Sequence, residues 1–106
     1  MPKYLYKTKL SAEGMRGTLE EGGVARRDTI KKMAESLGGR LEAFYYAFGE
    51  TDAYVIVDMP DAATAAAAAI TVGLSGGASI DTVALIEPED IETIAGMTID
   101  YRPPGG

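Results

Sequence analysis

Tyrosine dominates the chemistry this chain can offer. Tyr4, Tyr6, Tyr45, Tyr46 and Tyr54 fall in short segments rich in aromatic and β-branched residues, and Asp52 stands two positions before the last of them. A tyrosine hydroxyl can orient or protonate a small aromatic substrate. An aspartate at the rim of an apolar pocket can have its pKa raised into the range of a general base. Asp52, Tyr54, Tyr45 and Tyr46 are therefore the catalytic candidates, and Tyr4 and Tyr6 are candidates for holding a ligand. Each has a simpler alternative: rings of this kind fill a subunit core and find backbone partners, and an Asp ending a Gly-x-x-Asp turn hydrogen-bonds nearby main chain.

A second constellation is Gly22-Gly23 followed by Arg26 and Arg27. Free N–H groups at a helix start, with two guanidinium groups close by, suit an acidic ligand, so Arg26 and Arg27 join the ligand-binding candidates. Solvated arginines after a glycine turn are the plainer alternative, because the segment lacks a phosphate-loop pattern. Glu87, Glu89 and Asp90 have the types for a hard cation, but acids in the first turn of a helix stabilise it without metal; no metal is expected. The chain has neither cysteine nor histidine, which excludes a disulfide, a thiol nucleophile, a Ser-His-Asp triad and His-ligated haem. No cofactor is implied.

With 106 residues the chain is the size of one domain. The expected division is a single domain over residues 1–96 and a tail over 97–106. Net charge is −6, which disfavours general binding to nucleic acid or to anionic membranes. The charge is uneven: nine of the ten bases lie in Met1–Arg40, beside five acids, whereas the remainder holds eleven acids and only Arg102. Pairing within or between subunits is the first explanation of this asymmetry, and a basic patch for an anionic ligand is the second. The uncharged run Ala62–Ile80 is too weakly apolar to span a bilayer. Without a secretory pattern at the start, the cytoplasm is the expected compartment.

The elements that must position these residues follow from period and punctuation. Lys3–Leu10 alternates as a strand, with Tyr4, Tyr6 and Thr8 against Lys3, Leu5, Lys7 and Lys9. Ser11–Gly23, acidic and glycine-rich, predicts irregular chain with one short helical turn. Ile30, Met33, Ala34 and Leu37 form the apolar stripe of a helix over 24–37 that stops at Gly38-Gly39. Leu41–Phe48 and Ala53–Met59 form a hairpin about Gly49–Asp52, with both strands apolar on both faces. Asp61 caps an alanine helix. Ile80–Glu87 is the fourth strand, and a short helix from Pro88 ends at Gly96.

The order β-α-β-β-α-β is the split plan of α+β ferredoxin-like domains, with a four-stranded antiparallel sheet. Its two helices cover one face. Because strands two and three are apolar on both faces, the other face needs a second sheet, supplied most economically by another copy of the chain. At least a homodimer is expected.

The stretch Leu37–Asp52, continued by Tyr54-Val55-Ile56-Val57-Asp58 and Pro60-Asp61, resembles the GYD-domain family, as do the helix 24–37, the alanine-rich helix and the ending Tyr101–Gly105. Thr51 stands where the family usually has Tyr. The resemblance implies a ferredoxin-like protomer of the dimeric α/β-barrel superfamily and brings no activity with it. Related barrels include cofactor-free monooxygenases, lactone isomerases and haem enzymes, and fold alone does not choose among them. Since no residue set dictates a reaction, the expected role is an oligomeric domain that binds a small hydrophobic or anionic molecule or acts as an interaction module. The alternative is a cofactor-independent monooxygenase or isomerase working in the barrel pocket.

Overall fold

The computed structural model describes residues 1–106. Four strands, β1 (Lys3–Leu10), β2 (Arg40–Tyr46), β3 (Ala53–Asp58) and β4 (Ala78–Leu85), form one antiparallel sheet in the order β2-β3-β1-β4. Four helices accompany them: α1 (Ala12–Glu21), α2 (Gly23–Ser36), α3 (Ala62–Leu74) and α4 (Pro88–Ala95). This is the ferredoxin-like plan, with one helix more than expected in the first crossover and the expected short helix after the last strand.

Strand register assigns the faces, since residues directly opposite across an antiparallel pair share a side. Tyr4 opposes Val57 and Ala84, and Tyr6 opposes Val55 and Thr82. These positions face the helices, and with Met59, Ala34, Ala65 and Ala68 they make the core. Leu5 opposes Ile56 and Val83, and Lys7 opposes Tyr54 and Asp81. That second face has no helix over it. A bulge at Glu42, between Leu41 and Ala43, resets the alternation of β2. Through it Leu41 joins the core side while Arg40 and Glu42 reach a charge cluster with Lys3 and Asp58.

Ser11–Gly23 is the main correction to the sequence-based expectation. It is a regular helix, α1, whose first turn is capped by the Ser11 hydroxyl accepting from the Gly14 N–H at 3.0 Å. Gly14 signalled a loop but serves packing: a Cβ there would overlap the Gly77 carbonyl oxygen just before β4. The capping serine was the signal that outweighed the glycines. At the other end of α2, Gly38 takes φ +81° and stops the helix, as its position implied. β2 ends two residues earlier than its composition suggested, because Phe48 turns into the left-handed region at φ 57° and Ala47 N–H closes the hairpin on the Asp52 carbonyl.

α3 starts at Asp61, whose carboxylate accepts from the Thr64 N–H at 2.8 Å. It presses Ala65 and Ala68 onto the sheet and leaves Ile70 and Leu74 exposed. Methyl side chains let the helix axis come close but do not fill the layer beneath its far end.

Candidate functional site

That unfilled layer is a cleft between the sheet and the helices, with a cavity of about 60 Å³, enough for a few waters or part of a small ligand. Its floor is Tyr6, Phe44, Val55 and Ile80 on the sheet, and its roof is Ile30 and Met33 from α2 with Ala68 and Val72 from α3. Arg26, Ile30 and Met33 recur at i, i+4 and i+7, so a single stripe of α2 lines it from mouth to base. Beyond the mouth, a more polar space of about 190 Å³ continues between α1 and the Ser75–Ala78 turn, and Leu10, Thr18, Arg26, Val72 and Ala78 border both.

Arg26 is the only charged side chain lining the apolar cleft. It is half-buried, and its Nη1 lies 3.7 Å from Glu21 Oε2, a loose pair at the outer edge. Arg27, one residue on, turns away to Asp28 at 3.3 Å and does not line the cleft. At the Gly22-Gly23 corner Gly22 faces open space, whereas Gly23 lies against the Tyr46 ring, whose hydroxyl donates to the Gly23 carbonyl at 3.1 Å.

The five candidate tyrosines divide between the two faces of the sheet. Tyr4, Tyr6 and Tyr46 lie on the helix side, whereas Tyr45 and Tyr54 oppose one another on the open side. Tyr6 and Tyr46 line the cleft; Tyr4 is buried in the core away from it. The Tyr6 hydroxyl donates to the Ala65 carbonyl at 2.7 Å, and burial pushes its pKa up to about 12. Burial also raises that of Tyr46, against the opposing pull of Arg26 and Arg27. Both are therefore neutral phenols at neutral pH, each with its proton committed to main chain. As neutral phenols they shape the cleft.

Asp52 is elsewhere. Its buried carboxylate accepts from the Leu10 N–H at 2.8 Å and from Lys9 Nζ at 3.4 Å, while its own N–H donates to the Thr8 carbonyl. These bonds fix the hairpin turn to the end of β1. Asp58, also buried, accepts from Lys3 Nζ at 2.8 Å and Arg40 Nε at 2.6 Å. The Lys3 hydrogen bond, then that from Arg40, holds its pKa below the usual carboxylate range. No three acidic side chains gather into a metal site.

The barrel pocket expected from the sequence lies on the face away from the helices; the cleft beneath them adds Thr18, Ile30, Met33, Phe44 and Val72, which the sequence did not single out as site residues. The signal lay in Arg26, Ile30 and Met33 at helical spacing, read there as a solvated basic face beside a core stripe.

A one-sided, four-stranded ferredoxin-like sheet with a cleft beneath its helices defines the class of protein. The chain belongs to the GYD family: the GYD domain model matches residues 4–95. No curated protein and no solved structure gives a significant match. No helix is long and apolar enough to cross a membrane.

Proposed function

We propose that this protein is a homodimeric binding domain whose cleft takes a small, largely apolar compound with an anionic end. The observation that carries this reading is the lining of the cleft, apolar throughout except for hydroxyls and the single guanidinium of Arg26 at the mouth. An apolar pocket with one or two convergent polar groups is the usual form of a small-molecule site. A carboxylate at Arg26 would replace Glu21 as the partner of the guanidinium, while the hydrocarbon body lies between Phe44, Ile30 and Val72. A cofactor-independent isomerase or oxygenase that starts by proton abstraction would need a base in the same space, and neither the tyrosines, whose protons are committed to main chain, nor Asp52, which is tied to Leu10 and Lys9 and does not line the cleft, offers one.

Self-association is supported by the open face of the sheet. Tyr45 is 71% and Tyr54 39% exposed there, next to Leu5, Ile56 and Val83, an apolar surface of the kind that monomers seldom leave uncovered. Two copies packed through this face would close the dimeric α/β barrel. Native mass spectrometry of protein purified from its source tests both parts at once. The expected spectrum is a dimer carrying a retained small acid, and a ligand-free monomer would overturn the proposal.

A further inference from the structure

The C-terminal part of the chain has no place on its own protomer. The radius of gyration is 16.9 Å and the longest dimension 57 Å, where a compact domain of this length would have a radius of gyration of about 13 Å. The excess lies after β4: α4 has no buried residue and no more than marginal contact with other elements. Yet its composition is that of a packed segment. Ile86, Ile91, Ile94, Met97, Ile99 and Tyr101 are all exposed, Ile99 at 73%. α4 is also well built, with Pro88 in its first turn and the Asp90 carboxylate accepting from the Glu87 N–H at 2.9 Å. A well-capped helix with a solvent-facing apolar stripe is a helix awaiting a surface.

Charge indicates which surface. From Glu87 onward the segment holds five acids and one base, and none of its acids pairs with a base in its own chain. On the open sheet face Lys7 stands between Tyr54 and Asp81 with no ion-pair partner, and the exposed Lys9 has only long contacts, to Asp52 and to the Gly49 carbonyl, each at 3.4 Å. Leu5, Tyr54 and Ile56 supply apolar ground beside these lysines.

We propose that residues 86–101 form an exchange arm that docks on the open sheet face of a second copy, Ile91 and Ile94 against Leu5, Tyr54 and Ile56, with the arm's acids toward Lys7 and Lys9. This rests on the self-association described above and specifies its form: over Leu5, Tyr54 and Ile56 it is the partner's arm that covers the open face. It also gives the acids of the arm, which have no base partner in their own chain, bases to meet in the partner.

The chain has no cysteine, so disulfide trapping is clean. Ile94→Cys protein is mixed with Tyr54→Cys protein, dissociated and reassembled, oxidised, and its covalent products identified by mass. The expected product is a dimer with one chain of each kind, formed about tenfold or more faster than with Glu20→Cys on the helix side as the partner, because docking raises the local thiol concentration. A rate equal to that control, or efficient closure of the double Ile94→Cys/Tyr54→Cys variant within a single chain, would overturn the arm. Light scattering on the unmodified chain separates the two failures: a dimer without the cross-link refutes the arm alone, and a monomer refutes the self-association beneath it. Ile91→Glu/Ile94→Glu provides an independent check, expected to weaken the dimer about tenfold or more by placing charge at the contact centre; unchanged dimerisation would refute the docking.

Discussion

Replacing Arg26 with Gln tests how the cleft discriminates its ligand. The guanidinium is half-buried at the mouth and 3.7 Å from Glu21, so a ligand carboxylate there would gain an ion pair and displace a weak one. At about 4 Å and an effective dielectric of about 20, the bare Coulomb attraction is about 4 kcal/mol. Desolvation, solvent access and the competing Glu21 carboxylate reduce it. Hydrogen bonds to charged groups contribute about 1.5–3 kcal/mol in mutational series, and the openness of the mouth points to the lower end. A loss of about 1.5 kcal/mol corresponds to about tenfold in Kd. Titration calorimetry with octanoate and with octanamide, a neutral molecule of similar shape, provides the assay. Arg26→Gln should weaken octanoate about tenfold and leave octanamide nearly unchanged, while Glu21→Gln should tighten octanoate by a small factor of about two. Equal weakening of both compounds by Arg26→Gln would refute the reasoning, since the side chain would then act through packing alone.

Other perturbations separate structural from ligand-facing residues. Asp52→Ala strands the Leu10 N–H and should cost about 1–3 kcal/mol, a drop of several degrees in Tm by thermal denaturation, with octanoate affinity preserved. A loss of binding at unchanged Tm would return Asp52 to the site. Tyr6 has its folded pKa raised to about 12 from an ordinary value of 10.0. The folded state thus retains a proton that the unfolded state gives up, and the associated stability is intact below pH 10 and declines as pH rises from there toward 12, by roughly 1.4 kcal/mol per pH unit. Denaturant midpoints measured across that range should fall less steeply in Tyr6→Phe, and parallel slopes would count against the burial of the phenol. Gly14→Ala drives a methyl into the Gly77 carbonyl and should displace α1, seen as faster hydrogen exchange over residues 12–21. Unchanged protection there would mean that α1 is not held by this contact.

Much of the fold was legible because local and global signals agreed. The alternation of Lys3–Leu10, the stripe ending at Leu37 and Gly38, and the Asp61 cap each had one physical interpretation, and each stands in the structure. α1 was not legible, because two glycines at positions 14 and 17 oppose a helix by propensity, and the reason for Gly14 is a contact with Gly77 that lies far along the chain. The bulge at Glu42 was hidden for the same reason: it is a property of pairing with β3, not of β2 alone. At the site, the residue types were legible and their faces were not. Three tyrosines lie beneath the helices and two above open sheet because register, fixed by strand pairing, decides which ring shares a side with which. Arg26 and Arg27 look equivalent in sequence; the 3.6-residue helical period brings only Arg26 into line with Ile30 and Met33.

The most direct measurement of the binding claim is an isotope-edited NMR titration of the full chain with octanoate. Saturable shifts concentrated on the amides and methyl groups of Arg26, Ile30, Met33, Val55 and Val72 are the predicted result, with Tyr45 and Tyr54 little moved. Shifts confined to the open sheet face around Tyr54, or no saturable shift at all, would contradict it.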